Sequence, residues 1–149
     1  MSITQNKLLA LRAHDEVFNR RDLTVVDEIY AADFVWHGPG LPVAMPGPLG
    51  PEGVRIFASH LYAAFPDFHL TTEESIAEGD KVVNRWSFQG THQGIYQNVP
   101  PTGVTVTITG IDIFRIANGK IVELRQELNL LGLLQQFGAI PEIPNLPDV

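Results

Sequence analysis

Residues 104–137, VTVTITGIDIFRIANGKIVELRQELNLLGLLQQF, contain the pattern on which the predicted fold depends. Apolar and polar residues alternate from Val104 to Ile116, as they do along a β-strand with one buried face. Asn118-Gly119 follows, and both residues tolerate the positive φ that a type I′ turn requires. The sequence therefore predicts a hairpin whose second strand is Lys120 to about Leu128. Apolar residues at helical spacing then predict a short helix near Leu130–Phe137.

Polar residues inside this hairpin indicate that it lines a cavity. They stand among Ile, Phe and Leu and are Asp112, Arg125, Gln126 and Glu127. The alternative is that alternating charges mark the solvent face of the sheet. Strand pairing through the turn would place Asp112 beside Arg125 and Gln126 on the opposite face, unless a bulge intervenes.

Composition sets the broad class of the protein. A chain of 149 residues with 44% hydrophobic and 18% charged residues fits one domain, 1–149, in which about 141–149 form an extended tail. A net charge of −7 argues against a nucleic-acid or membrane surface. No cysteine is present, which excludes disulfides and thiol chemistry. Because neither a signal peptide nor a run of about 20 apolar residues is found, we expect a soluble cytoplasmic protein.

The part of the chain before the hairpin supplies helices and further strands. The predicted elements are a helix at about Thr4–Asn19, a short helix capped by Asp22, a strand at Phe34–His37, a helix that begins at Gly50 and ends before Pro66, and strands at about Phe68–Glu78 and Lys81–His92. This order predicts an α+β fold with a pocket between helices and sheet. The Pro- and Gly-rich segment 38–51 between strand and helix is predicted to be a lid or binding loop. The sheet face without helices, which carries Ile and Val, predicts a homodimer.

The helix that begins at Gly50 is predicted to bury Val54, Phe57, Leu61 and Phe65. The first helix is predicted to start at a capping box of Ser2 with Gln5 and to bury Leu8, Leu11 and Phe18. Asp15 falls on the same face and lies either at its rim or in the cavity. His14 is predicted to be a surface residue.

Motifs along nearly the whole chain together resemble one family. They are Asn19…Asp22, Gly50-Pro51-Glu52-Gly53, Ala64-Phe65-Pro66-Asp67, Gly79-Asp80-Lys81-Val82-Val83 with Arg85, Gly90-Thr91-His92-Gln93-Gly94, Pro101-Thr102-Gly103, Gly110-Ile111-Asp112-Ile113-Phe114-Arg115-Ile116, Asn118-Gly119-Lys120-Ile121-Val122-Glu123 and Leu131-Gly132-Leu133-Leu134-Gln135-Gln136-Phe137-Gly138. As a set they resemble the SnoaL-like polyketide cyclases, or SnoaL-like ester cyclases, of the NTF2-like superfamily.

The resemblance implies a cone-shaped α+β barrel, in which a curved antiparallel sheet and three helices enclose a deep apolar pocket. It implies a cofactor-independent enzyme of secondary-metabolite or antibiotic biosynthesis, of isomerase or lyase type, that needs no metal. Its substrate would be a small hydrophobic polycyclic or polyketide-derived molecule, and the reaction an intramolecular aldol ring closure. Relatives open epoxides or assist hydroxylation. The alternative is a non-catalytic protein of the same fold that binds a hydrophobic ligand or a protein partner.

The sequence departs from the family at the positions that matter for catalysis. In the aldol cyclases a carboxylate on the last strand acts as acid and base, supported by a His on the preceding strand. By motif position these residues fall on Gln126 and Asp112 here. Because an amide exchanges no proton near neutral pH, Gln126 could only orient a substrate or polarise a carbonyl. Asp112 or a neighbouring group would then carry the proton.

We therefore predict catalytic and substrate-binding residues from motif position and residue chemistry. The predicted catalytic residues are Asp112, His92 and Gln126, and the predicted substrate-binding residues are Trp36, His37, Arg85, Phe114, Tyr96 and Glu127. Burial would raise the pKa of Asp112 towards that of a general base, whereas pairing with Arg85 or Arg125 would lower it. A structural ion pair is the alternative for Asp112, and simple exposure is the alternative for His92. The His and acidic residues have no metal-binding spacing.

Overall fold

The computed structural model describes residues 1–39 and 50–141. Its elements are α1 (Ile3–Arg12), a π-helix (Ala13–Asn19), a 3-10 helix (Leu23–Val25), α2 (Val26–Ile29), β1 (Tyr30–His37), α3 (Gly50–Ala64), β2 (His69–Glu78), β3 (Lys81–Thr91), β4 (Thr105–Ala117), β5 (Lys120–Leu128) and α4 (Leu130–Gln136). The part of the predicted lid at 40–49 and the tail from 142 lie outside the described residues.

The strands form one curved sheet in the order β1-β5-β4-β3-β2. Neighbouring strands are antiparallel except β1, which pairs with β5 in parallel. The predicted α+β, NTF2-like fold is confirmed. It differs from the prediction in three details: the sheet is open rather than closed into a barrel, its edge strand β1 is parallel, and the described residues form four α-helices instead of three.

The β4–β5 hairpin has the predicted turn but a different register. Asn118 and Gly119 have φ of 52° and 74°, as a type I′ turn requires. A bulge follows, since Ile116 pairs with Ile121 whereas Arg115 pairs with Glu123, which leaves one extra residue on β5. Beyond the bulge Asp112 pairs with Gln126 and not with Arg125, which is the alternative that the sequence left open if a bulge intervened. The shift by one residue brings Asp112 and Gln126 to the same face.

The core lies between the inner face of the sheet and the helices. Residues of β3 and β4 alternate between buried and exposed, and Val82, Trp86, Phe88 and Phe114 point inward. The predicted stripe of α3 is confirmed, because Val54, Phe57, Leu61 and Phe65 are all buried. No helix among residues 1–39 and 50–141 is long and apolar enough to cross a membrane.

The first helix buries a different face from the predicted one. It begins at a capping box between Ser2 and Gln5, but Leu8 and Leu11 are 55% and 44% exposed. The buried face consists of Asn6, Leu9, Ala10, Ala13, His14, Val17 and Phe18. The two alanines are fully buried, and their small side chains let the helix approach the sheet closely.

Candidate functional site

A cavity lies between the inner face of the sheet and the helices, as the α+β order predicts. It contains about 680 Å³ of space free of protein atoms, its opening to solvent included. Most of its lining is aromatic or aliphatic, with contributions from Phe18, Phe57, Phe65, Trp86 and Phe114. Such a lining suits a flat hydrophobic molecule, which the few polar groups would orient.

The polar groups of this cavity centre on a buried histidine–aspartate pair. His14 Nε2 lies 2.8 Å from Asp112 Oδ2, and His14 Nδ1 lies 2.9 Å from Thr72 Oγ1. Gln126 Nε2 donates to Asp112 Oδ1 at 3.0 Å. His14 and Asp112 are each only 3% exposed. The carboxylate thus has a hydrogen-bond partner at each oxygen and is held in one orientation.

Because a carboxylate only accepts hydrogen bonds, His14 Nε2 carries a proton when Asp112 is ionised. The Thr72 hydroxyl can then donate to His14 Nδ1, or accept from it once the ring is protonated. The pair can therefore take up one further proton without losing a hydrogen bond. This is what a general base at a buried position needs.

Tyr30 lines the same cavity from β1. Burial, followed by the negative charge of Asp112, raises the pKa of Tyr30. Its phenol therefore stays protonated at neutral pH and is able to donate a hydrogen bond to a molecule in the cavity.

The local backbone explains how His14 comes to face the sheet. It lies in the π-helix, a form often found at functional sites, where the Arg20 N–H bonds to the Asp15 carbonyl. At the end of that segment the Asn19 side chain donates to the Leu70 carbonyl and accepts from the Leu70 N–H, each at 2.8 Å. These two hydrogen bonds anchor the end of the helix to β2 at Leu70, two residues before Thr72.

Gly110 lets the Trp86 ring lie flat on β4. The two residues pair across β3 and β4, and a Cβ atom on Gly110 would be 2.2 Å from Trp86 Cζ2. Any side chain at position 110 would therefore displace the indole.

The structure brings five of the predicted site residues to the cavity and leaves four outside it. Asp112, Gln126, Trp36, Phe114 and Tyr96 line it. Arg85 and Glu127 are exposed on the outer face of the sheet, where Arg85 pairs with Glu74 at 3.3 Å. His37 is exposed and lies 3.3 Å from Glu123. The predicted alternative of an ion pair between Asp112 and Arg85 or Arg125 is not formed, because all three pair with other groups.

His92 is the fourth predicted residue outside the cavity lining. It is fully buried, and its ring stacks on Phe137 with centroids 3.9 Å apart. Nδ1 accepts from the Thr102 N–H at 3.2 Å and lies 2.9 Å from Thr102 Oγ1. Burial lowers the pKa of His92. Its surroundings are those of a structural residue.

Sequence reasoning missed His14, Thr72 and Tyr30. The prediction that His14 lies on the surface was wrong, because the helix buries the face of its alanines and not that of Leu8 and Leu11. The sequence does contain a signal, since Ala10, His14 and Phe18 follow one another at intervals of four residues. Asp15, one position further on, is half-buried and pairs with Arg20 at 3.1 Å.

In the part of the chain that the structure describes, no group of three or more His, Cys, Asp or Glu side chains comes together as a metal site. The buried contact between His14 and Asp112 resembles an acid/base pair in an apolar pocket.

Comparison with protein families decides what kind of protein has this cavity. The profile of the SnoaL-like polyketide cyclases matches residues 8–137. The chain belongs to the SnoaL-like polyketide cyclase family. The predicted resemblance is thereby confirmed. No curated protein sequence matches the chain significantly.

Solved structures of SnoaL-like and related proteins are similar over most of the chain. TsrD from Streptomyces laurentii is 27% identical with a TM-score of 0.82, and the alignment covers 94% of this chain and 99% of TsrD. IdmH from Streptomyces antibioticus, a proposed polyketide cyclase, is 30% identical with a TM-score of 0.76 and coverage of 90% and 99%. AclR from Streptomyces galilaeus, a proposed hydroxylase, is 29% identical with a TM-score of 0.78 and coverage of 97% and 87%.

Proposed function

We propose that this SnoaL-like protein is a cofactor-independent enzyme that performs acid/base chemistry on a polycyclic or polyketide-derived small molecule. A cyclase-type role agrees with its family. The observation that carries the proposal is the buried contact of 2.8 Å between His14 and Asp112 in the wall of an apolar cavity. A paired, hydrogen-bonded carboxylate that faces an apolar cavity is a frequent arrangement for proton abstraction.

The reaction that fits best is an intramolecular aldol ring closure. Asp112 removes a proton from the carbon next to a substrate carbonyl, and the proton is shared with His14. The resulting enolate carbon attacks a second carbonyl of the same molecule, forming a C–C bond. The pair then returns the proton to the alkoxide, so that no atom is gained or lost.

Two neighbours of the pair support these steps. Tyr30 is kept protonated, and its phenol donates a hydrogen bond to the oxygen on which charge develops. Gln126 holds Asp112 through its Nε2, while its buried Oε1 has no hydrogen-bond partner among the described residues. That oxygen would accept from a substrate hydroxyl. Gln126 thus orients both the base and the substrate without transferring a proton.

Proton abstraction can be tested before the natural substrate is known. A cyclic ketone with acidic α-protons, 2-tetralone, is incubated in D₂O and its H/D exchange is followed by NMR. Wild-type protein should accelerate exchange above the rate in buffer, whereas Asp112→Asn should not. Saturable binding of the ketone without any acceleration would contradict the proposal. It would instead support a ligand-binding protein, the second function.

The replacement of the family carboxylate by Gln126 is the observation that favours this second function. A hydrophobic ligand could occupy the cavity with Gln126 and Tyr30 as hydrogen-bonding groups and without turnover. A role in hydroxylation is a further variant, since AclR is a proposed hydroxylase. The exchange test separates the binding protein from either enzyme.

We also propose that the protein works as a cytoplasmic homodimer in secondary-metabolite or antibiotic biosynthesis. The outer face of the sheet has an apolar stripe in which Ile76, Val83 and Ile113 pair across three strands. Ile76 is 63% exposed and Ile113 is 37% exposed. A second copy could cover this stripe around a two-fold axis. Sedimentation should give a dimer at micromolar concentration and a monomer for Ile113→Lys, with a dimeric Ile95→Lys variant as the control.

A further inference from the structure

A row of polar side chains crosses the inner face of the sheet beside the His14–Asp112 pair. Ser75 pairs with Asn84, Asn84 pairs with Asp112, and Asp112 pairs with Gln126 on four successive strands. Asn84 is fully buried. Gln126 and Asp112 line the cavity, whereas Asn84 and Ser75 lie beyond its lining. Asn84 therefore flanks Asp112 from the side that a substrate does not reach.

Asn84 has no hydrogen-bond partner within the described residues at Nδ2 or at Oδ1, and Ser75 has none at Oγ. A buried polar atom without a partner is strongly unfavourable and therefore rare. Paired side chains on neighbouring antiparallel strands have Cβ atoms about 4.5–5.5 Å apart. At this separation one water can bridge Asn84 to Asp112, and another can bridge Asn84 to Ser75, so that the amide and the hydroxyl each gain a partner.

We propose that Asn84 is a positioning residue for Asp112 and acts through a bound water that bridges the two side chains. The water donates a hydrogen bond to a free lone pair of the carboxylate, in addition to those from His14 and Gln126. A donor to the charged form of a carboxylate lowers its affinity for a proton. Asn84 would thus set the pH at which the His14–Asp112 pair takes up a proton.

Among the described residues, two tyrosines are the other titratable groups that line the cavity around the pair. His14 faces Asp112 from the π-helix, and Tyr30 approaches from β1. Tyr96 also lines the cavity. Burial raises the pKa of Tyr96 to about 12, and the pKa of Tyr30 is also raised, so both stay neutral where the pair titrates.

The test measures the protonation of His14 by NMR of its ring nitrogens, with the signals assigned by their loss in His14→Gln. Two variants are compared, Asn84→Val and Asn84→Thr, because valine and threonine have nearly the same shape and differ in one hydroxyl group. The valine variant should raise the titration midpoint by about 0.5–1 pH unit, because one hydrogen bond to the carboxylate is lost. The threonine variant can still hold the water and should stay close to wild type.

Asn6→Leu is the matched control. Asn6 is also a buried asparagine with an unpartnered Oδ1, but its Nδ2 bonds to the Gly79 carbonyl at the far end of β2. Its substitution should leave the midpoint unchanged. Equal midpoints for Asn84→Val and wild type, or an equal shift in Asn6→Leu, would overturn the proposal.

A crystal structure of the wild-type protein gives a second measurement that does not depend on how well the variants fold. A water within hydrogen-bond distance of both Asn84 and Asp112 supports the proposal, and its absence at high resolution overturns it. The catalytic meaning of Asn84 rests on the proposed function. The titration does not depend on turnover. If the wild-type protein showed no exchange activity, the proposed function would fail, but the coupling between Asn84 and Asp112 could still be measured.

Discussion

His14 and His92 are equally buried but lie in opposite surroundings. His14 has hydrogen-bond partners at both ring nitrogens, Asp112 and Thr72, and it lines the cavity. His92 stacks on Phe137 and bonds to Thr102 through Nδ1, while its Nε2 has no partner in the described part of the chain. The ring of His14 therefore faces a carboxylate, whereas burial of His92 lowers its pKa and disfavours its imidazolium form. Burial alone therefore does not identify a reactive histidine.

The two histidines also differ in what they hold together. His14 joins the π-helix to β2 and β4 and so fixes the position of the cavity's carboxylate. His92 joins a loop to a helix, because its backbone bonds to Val104 and Gly103 while its ring contacts Phe137 beyond α4. His14 therefore positions a group of the candidate site, whereas His92 contributes to packing.

The largest expected effect comes from removing the carboxylate that distinguishes the two histidines. Asp112→Asn should reduce the ketone exchange rate by about 10²–10⁴. Gln126→Glu should cost less, about the value of one hydrogen bond or 1–3 kcal/mol, because Gln126 transfers no proton. The exchange rate of each variant measures the loss, and melting curves show whether each variant is still folded.

The assignment of proton abstraction to Asp112 would be wrong if Asp112→Asn exchanged protons at the wild-type rate while Gln126→Glu was inactive. Glu127, next to Gln126, would not be the substitute, because it is exposed on the outer face.

Exchanging each histidine for glutamine tests the comparison directly. His14→Gln should lower the exchange rate about 10–10²-fold, because Asp112 loses the partner that shares its proton. His92→Gln should keep the rate of wild type and lose about 1–3 kcal/mol of stability through the lost stack and hydrogen bond. Rates and urea unfolding are measured on the same samples. A strong rate loss in His92→Gln at unchanged stability would reverse the assignment.

A smaller effect is expected in the pH dependence of stability. The pKa of His92 is lower in the folded protein because burial disfavours the imidazolium. The unfolded chain then binds more protons, so the contribution of His92 is complete above its ordinary pKa of about 6.5 and decreases as the pH falls below it. The free energy of unfolding of His92→Gln should therefore change less between pH 7 and pH 5 than that of wild type. His60→Gln, at an exposed position, is the control and should behave like wild type.

No change is the expected result of metal removal. If His14 acts as a proton carrier and not as a ligand, exhaustive EDTA treatment should leave both the exchange rate and the melting temperature unaltered. A loss of activity that Zn²⁺ or Mg²⁺ restores would count against the acid/base assignment.

The sequence predicts those features that local patterns determine. Asn118-Gly119 identifies the hairpin, Ser2 with Gln5 marks the start of α1, and Val54, Phe57 and Leu61 give the buried face of α3. In each case the residues that form the signal are also those that make the contacts. Within the candidate site, Asp112 and Gln126 could be predicted because they lie at family motif positions in that hairpin.

The rest depends on backbone irregularities that residue patterns do not show. One extra residue on β5 places Asp112 against Gln126 instead of Arg125, and the alternation of apolar and polar residues does not locate that bulge. The orientation of His14 depends on a π-helical segment and on close packing at Ala10 and Ala13. Long-range contacts, such as the one between Thr72 and His14, appear only once the helix is placed on the sheet.

The contact between Gly110 and Trp86 offers a way to redesign the cavity. The missing Cβ atom at Gly110 on β4 makes room for Trp86, one of the two tryptophans of the lining. Gly110→Ala together with Trp86→Leu would exchange the pair as a unit, with the new methyl group filling part of the space that the indole leaves. Libraries that vary the two positions jointly should therefore contain more folded variants than libraries that vary either one, and they would change which ring shapes the protein accepts.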